Sequence, residues 1–278
     1  MNDLVVKKDK NLSPLFKWAG GKRWFMQRYS TAFNPFANLR MVEPFAGGLA
    51  FSVTLQPKHV LANDINPHLI NFYNQVKEKK FFLPTDLILS KKYYYAIRAE
   101  FNDLITLNQI QGLRPAQLFW MLNRLGFNGL CRFNRDGLYN TPFGYYKKIF
   151  LQFEWSKYEE IFQSWTFTHN HFEEIKLTNN DFLFCDPPYD GAFPFYSKEL
   201  FDFTQHQKLV SWIKKQGNPV LIMNHPTPRI LELYADEGLE ISFLMAPRTL
   251  SANMGSRGPT QELIASYNFS WKDLIKRI

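Results

Sequence analysis

The chain has 278 residues, 45% hydrophobic and 21% charged, enough for one large domain or a domain carrying an insertion, and not a disordered composition. No apolar run reaches membrane-spanning length and MNDLVVKKDK lacks a secretory apolar stretch, so we expect a cytoplasmic protein; two isolated cysteines and six scattered histidines give no disulfide framework or ligand spacing, and no metal is expected. The formal charge of +8 is concentrated in two places: residues 7–28 (Lys7, Lys8, Lys10, Lys17, Lys22, Arg23 and Arg28 against Asp9) and residues 112–148 (Arg114, Arg124, Arg132, Arg135, Lys147 and Lys148 against Asp136). Such patches serve polyanion binding, or a basic surface kept for solubility.

In chain order, FKWAGGKR comes first. Its Gly-Gly-Lys is not a Walker loop: Phe16 stands five before Gly21 where the earlier glycine is needed, and Arg23 rather than Ser or Thr follows Lys22. A Trp and a Lys beside a flexible turn suit instead an adenine face and a carboxylate. LRMVEPF then reads as a strand running into Gly47 and Gly48, with AFSVTL starting a helix. HVLANDIN is a second strand that ends at Asp64, 17 residues past Gly47. Glycines there let the backbone turn sharply, and an acid about 20 residues on can bind ribose hydroxyls. The same spacing also serves a structural turn with a capping Asp. Asn66 would cap a helix over PHLINFYNQVKEK with Pro67 at its first position.

YYYAIRAEFNDLI and RPAQLFWMLNRLGF read as helices, followed by Gly-, Asn- and Arg-rich turns to about residue 148. Strand signals resume with WTFTHNHF, DFLFCDPPY, NPVLIMNH, LEISFLMAPRTL and ELIASYNF. The order implies an α/β domain, residues 1–66 and 153–278, interrupted by a mostly helical insertion over 67–152. The insertion is either a recognition element or a helical satellite with a solvated basic rim.

DFLFCDPPY ends a buried strand in Asp186, Pro187, Pro188 and Tyr189. Prolines fix φ and remove N–H donors, which leaves carbonyls free to accept. With the Asp186 carboxylate and the Tyr189 face, the ledge suits an aromatic ring carrying an exocyclic amine. That amine is a poor nucleophile because its lone pair is delocalised. Accepting its two N–H bonds at Asp186 and the Pro187 carbonyl localises the lone pair for attack on an electrophilic methyl, and the carboxylate stabilises the developing charge. Cys185 reads as a small buried hydrophobe.

KWAGGK, EPFAGG, NDINP, LNRLGFNGLCRFN, TPFGYYKK, DPPY and RTLSANMGSRGPTQELIASYNF occur in this order over most of the chain. Together they resemble the Dam family of DNA adenine-N6 methyltransferases. The resemblance implies an α/β fold: a Rossmann-like, seven-stranded, S-adenosylmethionine-dependent methyltransferase sheet with an inserted, mostly helical target-recognition domain. It also implies S-adenosylmethionine as cofactor, S-adenosylhomocysteine as product, and double-stranded DNA as partner, with an adenine flipped from the duplex and methylated at N6. We expect action as a monomer, no membrane, and nucleoid association through DNA. Carried over by position, cofactor contacts fall on Trp18, Lys22, Phe45, Gly47, Asp64 and Asp186, with Phe172 covering the adenine. Tyr189 would stack on the flipped base. Arg124 and Asn128 would touch phosphate and Phe127 would wedge into the base stack. Leu130, Arg132, Asn134 and Tyr146 would lie at the bases and Lys17 would read a guanine, which favours GATC or another GAT-containing site. Three departures accompany the match: Leu49 follows Gly47-Gly48 where a further glycine is common, Tyr145 replaces an arginine, and the stretch DGAFPFYSKELFDF after DPPY is shorter than usual in the family. Two other readings carry different chemistry: transfer to RNA or a protein amide, which uses a related Asn-Pro-Pro-Tyr ledge, and a non-catalytic DNA-binding module.

Overall fold

The structure, a computed structural model, describes residues 12–84, 87–146, 149, 153–191, 201–247 and 260–276. Lys7, Lys8, Lys10, Lys147 and Lys148 of the basic stretches lie outside the described residues, as do residues 192–200 after DPPY and 248–259 of the last motif.

All seven segments read as strands form strands: β1 (Arg40–Glu43), β2 (Val60–Asn63), β3 (Trp165–Thr168), β4 (Asp181–Cys185), β5 (Val220–Asn224), β6 (Glu240–Ala246) and β7 (Thr260–Tyr267). They make one sheet in the order β3-β2-β1-β4-β5-β7-β6, in which β7 runs antiparallel to both β5 and β6 and the other pairs are parallel. The chain builds outward from β1 in one direction and from β4 in the other. The order therefore reverses between β1 and β4, the place where open sheets of this kind bind ligands.

Helices cover both faces, which is why the central strands are continuous apolar runs and not alternating ones. The helices are α1 (Arg23–Tyr29), α2 (Ala50–Leu55), α3 (Pro67–Lys77), α4 (Lys91–Thr106), α5 (Leu113–Leu125), α6 (Trp155–Phe162), α7 (Phe203–Gln216), α8 (Pro228–Asp236) and α9 (Trp271–Ile275). β4 shows the period of two: Phe182 and Phe184 enter a core with Phe25, Phe33 and Phe51, while Leu183 and Cys185 enter a second core with Leu209, Val210 and Ile213. Phe51 stacks on Phe184 with ring centroids 4.2 Å apart. Asn66 caps α3 as expected, accepting from His68 N at 3.0 Å and Leu69 N at 3.2 Å, with Pro67 at the first helical position. The apolar side chains of α3, α4 and α5 join the first core without a break. Among the described residues no helix is long and apolar enough to cross a membrane.

Candidate active site

At the carboxyl ends of the central strands lies a cavity of about 840 Å³. Glu43, Asp64 and Asp186, at or just past the ends of three neighbouring strands, line it. Asp64 fastens the glycine turn: its Oδ2 accepts from Gly47 N and its Oδ1 from Asn66 N, both at 2.9 Å. Asp64 thus braces the turn, as the structural reading has it, and also lines the cavity. Gly47 has φ +44°, and a Cβ there would lie 2.8 Å from Trp18 Nε1, so the turn and the indole against it require glycine. Leu49, at the site of the missing family glycine, takes a left-handed backbone (φ 56°) and starts α2 with its side chain fully buried. It supplies no side-chain cap. Glu43 takes that place, its Oε1 accepting from Ser52 N at 3.0 Å.

The ledge is built around one buried ammonium. Lys22 Nζ lies 2.9 Å from Asp186 Oδ1, donates to Gly20 O, and sits 4.8 Å from the centroid of the Tyr189 ring. Burial pushes the Asp186 carboxyl above the usual range, and Lys22 opposes that rise. Burial pushes Glu43 up to about 8 against the Ser52 N–H bond, and it raises Asp64 against the Gly47 and Asn66 bonds. Behind Tyr189, the next residue is clamped: Asp190 accepts from Thr227 Oγ1 and Arg229 Nε, both at 2.7 Å, and also pairs with Arg229 Nη2. Phe172 stands in the turn after β3, 3% exposed, with Phe45 at 5.6 Å and Phe201 at 6.2 Å between centroids. These three rings line one wall of the cavity. Trp18, Lys22, Phe45, Gly47, Asp64, Phe172, Asp186, Pro187, Pro188 and Tyr189 therefore converge on one space, although they come from five parts of the chain.

The basic loop lies beside this cavity. Lys17 lines it, and its Nζ sits 4.0 Å over the Tyr146 ring. Asn123 holds the Lys17 backbone from both sides, accepting from its N–H at 2.9 Å and donating to its carbonyl at 2.8 Å, and also donates to Gly129 O at 2.8 Å. A Cβ on Gly129 would collide with the Lys17 side chain. Phe127 is exposed, with Asn128 beside it in a left-handed conformation. Leu130 is half-buried, and its carbonyl takes the Tyr139 and Thr141 hydroxyls. Arg132 is exposed and aimed by Asn140, to which it donates through Nε at 2.7 Å and Nη2 at 3.1 Å. Asn134 shapes the hairpin end: its Oδ1 accepts from Asp136 N and Leu138 N.

Arg124 corrects an expectation. Expected as a phosphate contact, it is 5% exposed; it donates to Leu15 O and lies over the rings of Trp120 and Phe153, where it lines the inner cavity. Helix α5 is enclosed on all sides from Pro115 onward, so its polar residues are internal. Four residues of the site had not been singled out. Glu43 and Phe201 lacked a distinctive spacing. Asn63 ties three strand ends together, donating to Pro44 O and Asn170 O and accepting from Thr168 Oγ1. Glu262 accepts from Tyr189 Oη at 2.6 Å.

A seven-stranded sheet with a reversed seventh strand and acids at the ends of three neighbouring strands, the one after β4 opening an Asp-Pro-Pro-Tyr ledge, defines a Rossmann-like methyltransferase. The chain belongs to the D12 class N6 adenine-specific DNA methyltransferase family, whose model matches residues 18–244. It is 34% identical to the retron Ec67 DNA adenine methylase of Escherichia coli over 91% of each chain. It is 34% identical to a DNA adenine methylase of Vibrio cholerae over 93% of this chain and 97% of the relative. A Haemophilus influenzae DNA adenine methylase shares 33% over 91% and 93%. The protein is an adenine-specific DNA methyltransferase.

Proposed function

We propose that the protein transfers a methyl group from S-adenosylmethionine to N6 of an adenine flipped out of duplex DNA, within GATC or a related GAT-containing site. The observation that carries this reading is the Lys22–Asp186 pair at the ledge, inside the cavity shared by Trp18, Asp64 and Phe172. The residues present fit such a cofactor. Three carboxyls at neighbouring strand ends suit its cationic centre and ribose hydroxyls, and the wall of Phe45, Phe172 and Phe201 suits a purine. When bound, S-adenosylmethionine supplies an electrophilic methyl on a positively charged sulfur. Asp64 would receive the ribose hydroxyls and Trp18 with Lys22 the remainder of the cofactor.

Toward the target, Asp186 accepts one N–H of the amine and the Pro187 carbonyl the other, which holds the nitrogen lone pair free of the ring. Lys22 favours the carboxylate form of Asp186 that this role needs. Pro187 and Pro188 keep the ledge rigid. Tyr189 offers a face to the flipped base, and Phe127 occupies the gap in the stack. Leu130 meets a thymine methyl, Arg132 takes guanine O6 and N7, and Lys17 with Tyr146 reads the guanine before the target. Asn128 touches phosphate and Asn134 sets the hairpin that presents these groups. Residues 67–152 act as the recognition insertion within the methyltransferase formed by 1–66 and 153–278.

The test is to incubate the protein with methyl-labelled S-adenosylmethionine and unmethylated duplex DNA, RNA or protein. Label recovered as N6-methyladenine in DNA, lost in Asp186→Ala with DNA binding retained, is the expected result. Label in RNA or protein, or none, overturns it. Methylome sequencing of expressing cells then gives the site.

A further inference from the structure

We propose that Glu262 is a positioning residue for the base-stacking tyrosine: it anchors the Tyr189 hydroxyl and thereby sets the plane against which the target base lies. The inference rests on the methyltransferase reading above and concerns a residue 73 positions away from Tyr189 in the chain. Glu262 stands on β7, opposite Leu244 of β6 and next to Leu263, which pairs with Asn224 of β5. It is 9% exposed, and an acid so enclosed needs a partner. Its partner is the ledge: Tyr189 Oη donates to Glu262 Oε2 at 2.6 Å, a charge-assisted length.

A phenolic O–H lies in the plane of its ring. An acceptor fixed in a strand therefore orients the ring as well as locating it. The other end of the tyrosine is fixed independently, because Asp190 is held by Thr227 and Arg229. Lys22 lies over the ring and is paired with Asp186. Burial raises the Glu262 carboxyl, and Lys22 followed by the Tyr189 bond opposes the rise, so the same ammonium serves both acids. Glu262, Tyr189, Lys22 and Asp186 thus form a connected chain from β7 to the methyl acceptor's position, and the reversed strand, which the nucleotide-binding half of such sheets does not need, supplies its first member.

The experiment is a double-mutant cycle on methyl transfer to duplex DNA, with folding and cofactor affinity checked for each variant. Glu262→Ala and Tyr189→Phe should each lower kcat by about tenfold or more, with KM for DNA little changed, and the double variant should be no worse than Tyr189→Phe alone, which also loses the hydroxyl's bond with Asp186. Glu262→Gln, whose amide oxygen still accepts, should recover most of the activity. Additive losses, a Glu262→Ala enzyme equal to wild type, or a failure of Glu262→Gln to recover while folded would overturn the role of Glu262 alone. A wild-type protein that puts no methyl group on DNA adenine would overturn the underlying reading and this inference with it.

Discussion

Lys22 Nζ and Asp186 Oδ1 stand 2.9 Å apart, with Lys22 2% exposed and Asp186 21% exposed. The pair joins the turn at Gly20 and Gly21 to the Asp-Pro-Pro-Tyr ledge. In the proposed transfer Asp186 accepts from an amine as a carboxylate, and Lys22 is the charge that opposes its burial. Lys22→Met should therefore reduce kcat/KM by roughly a hundredfold, the order expected when an enclosed charge loses its partner. It should also move the acid limb of the pH–rate profile upward, since the freed Asp186 takes a proton at higher pH. A lowered rate with an unshifted limb would remove Lys22 from the control of Asp186.

Glu43 gives a stability prediction with a defined sign. Burial raises its pKa from 4.5 to about 8, so the folded protein binds a proton that the unfolded chain has released across that window. Its contribution to stability is fully present below about 4.5 and is lost as pH rises through about 8. Glu43→Gln keeps the bond from Ser52 N and cannot ionise. Relative to wild type it should gain a few degrees in Tm between the acid and alkaline ends of that window, read by thermal melts across pH. Parallel curves would show that Glu43 does not titrate there.

Lys17 gives the opposite case. Burial, then the neighbouring Arg124, lowers its pKa from 10.5 to about 8. The guanine contact proposed for Lys17 is charge-assisted only while the side chain is an ammonium. Affinity for duplex containing the methylated site should fall as pH rises through about 8 at fixed ionic strength, and Lys17→Met should lose that dependence. The same group makes the folded state costlier while it is charged: the cost is fully present below about 8 and is relieved as pH rises toward 10.5.

Arg124 and Arg132 should separate cleanly. Arg132 is exposed and aimed by Asn140, so Arg132→Ala should cost about 1–3 kcal/mol at one base pair and leave binding to other sequences nearly unchanged, as read by competition among single-substituted duplexes. Arg124 is enclosed between Leu15 O and two aromatic rings, so Arg124→Ala should lower Tm and leave the salt dependence of DNA binding unaltered. A shallower salt slope in Arg124→Ala would restore it as a phosphate contact.

The seven strands and the Asp-Pro-Pro-Tyr ledge were legible because their signals are local: apolar runs of strand length, a glycine turn, and prolines that end a strand. Asn66 and Pro67 marked the start of α3 for the same reason. Contacts made across the sheet were not legible. Glu262 reaches Tyr189 only because β7 inserts backward between β5 and β6, which no spacing in ELIASYNF announces. Arg124 misled because an arginine in the last turn of a helix normally points to water. In α5 the helix is wrapped on every side, and Gln117, Asn123 and Arg124 find backbone carbonyls as partners. Leu49 shows a third limit: the sequence reveals the missing glycine, but not that leucine accepts the left-handed turn while its side chain fills the core.

The amide of Asn123 grips Lys17 on both sides and Gly129 on a third, and Gly129 leaves no room for the lysine to retreat. The residue next along from Lys17 is Trp18, whose indole rests on Gly47. The turn at Gly129 and the indole on Gly47 are thus linked through two adjacent residues, Lys17 and Trp18. On the proposed reading, a strand seated on the wrong bases would strain this link, and discrimination between sites should show itself in turnover even where the duplex is held equally tightly.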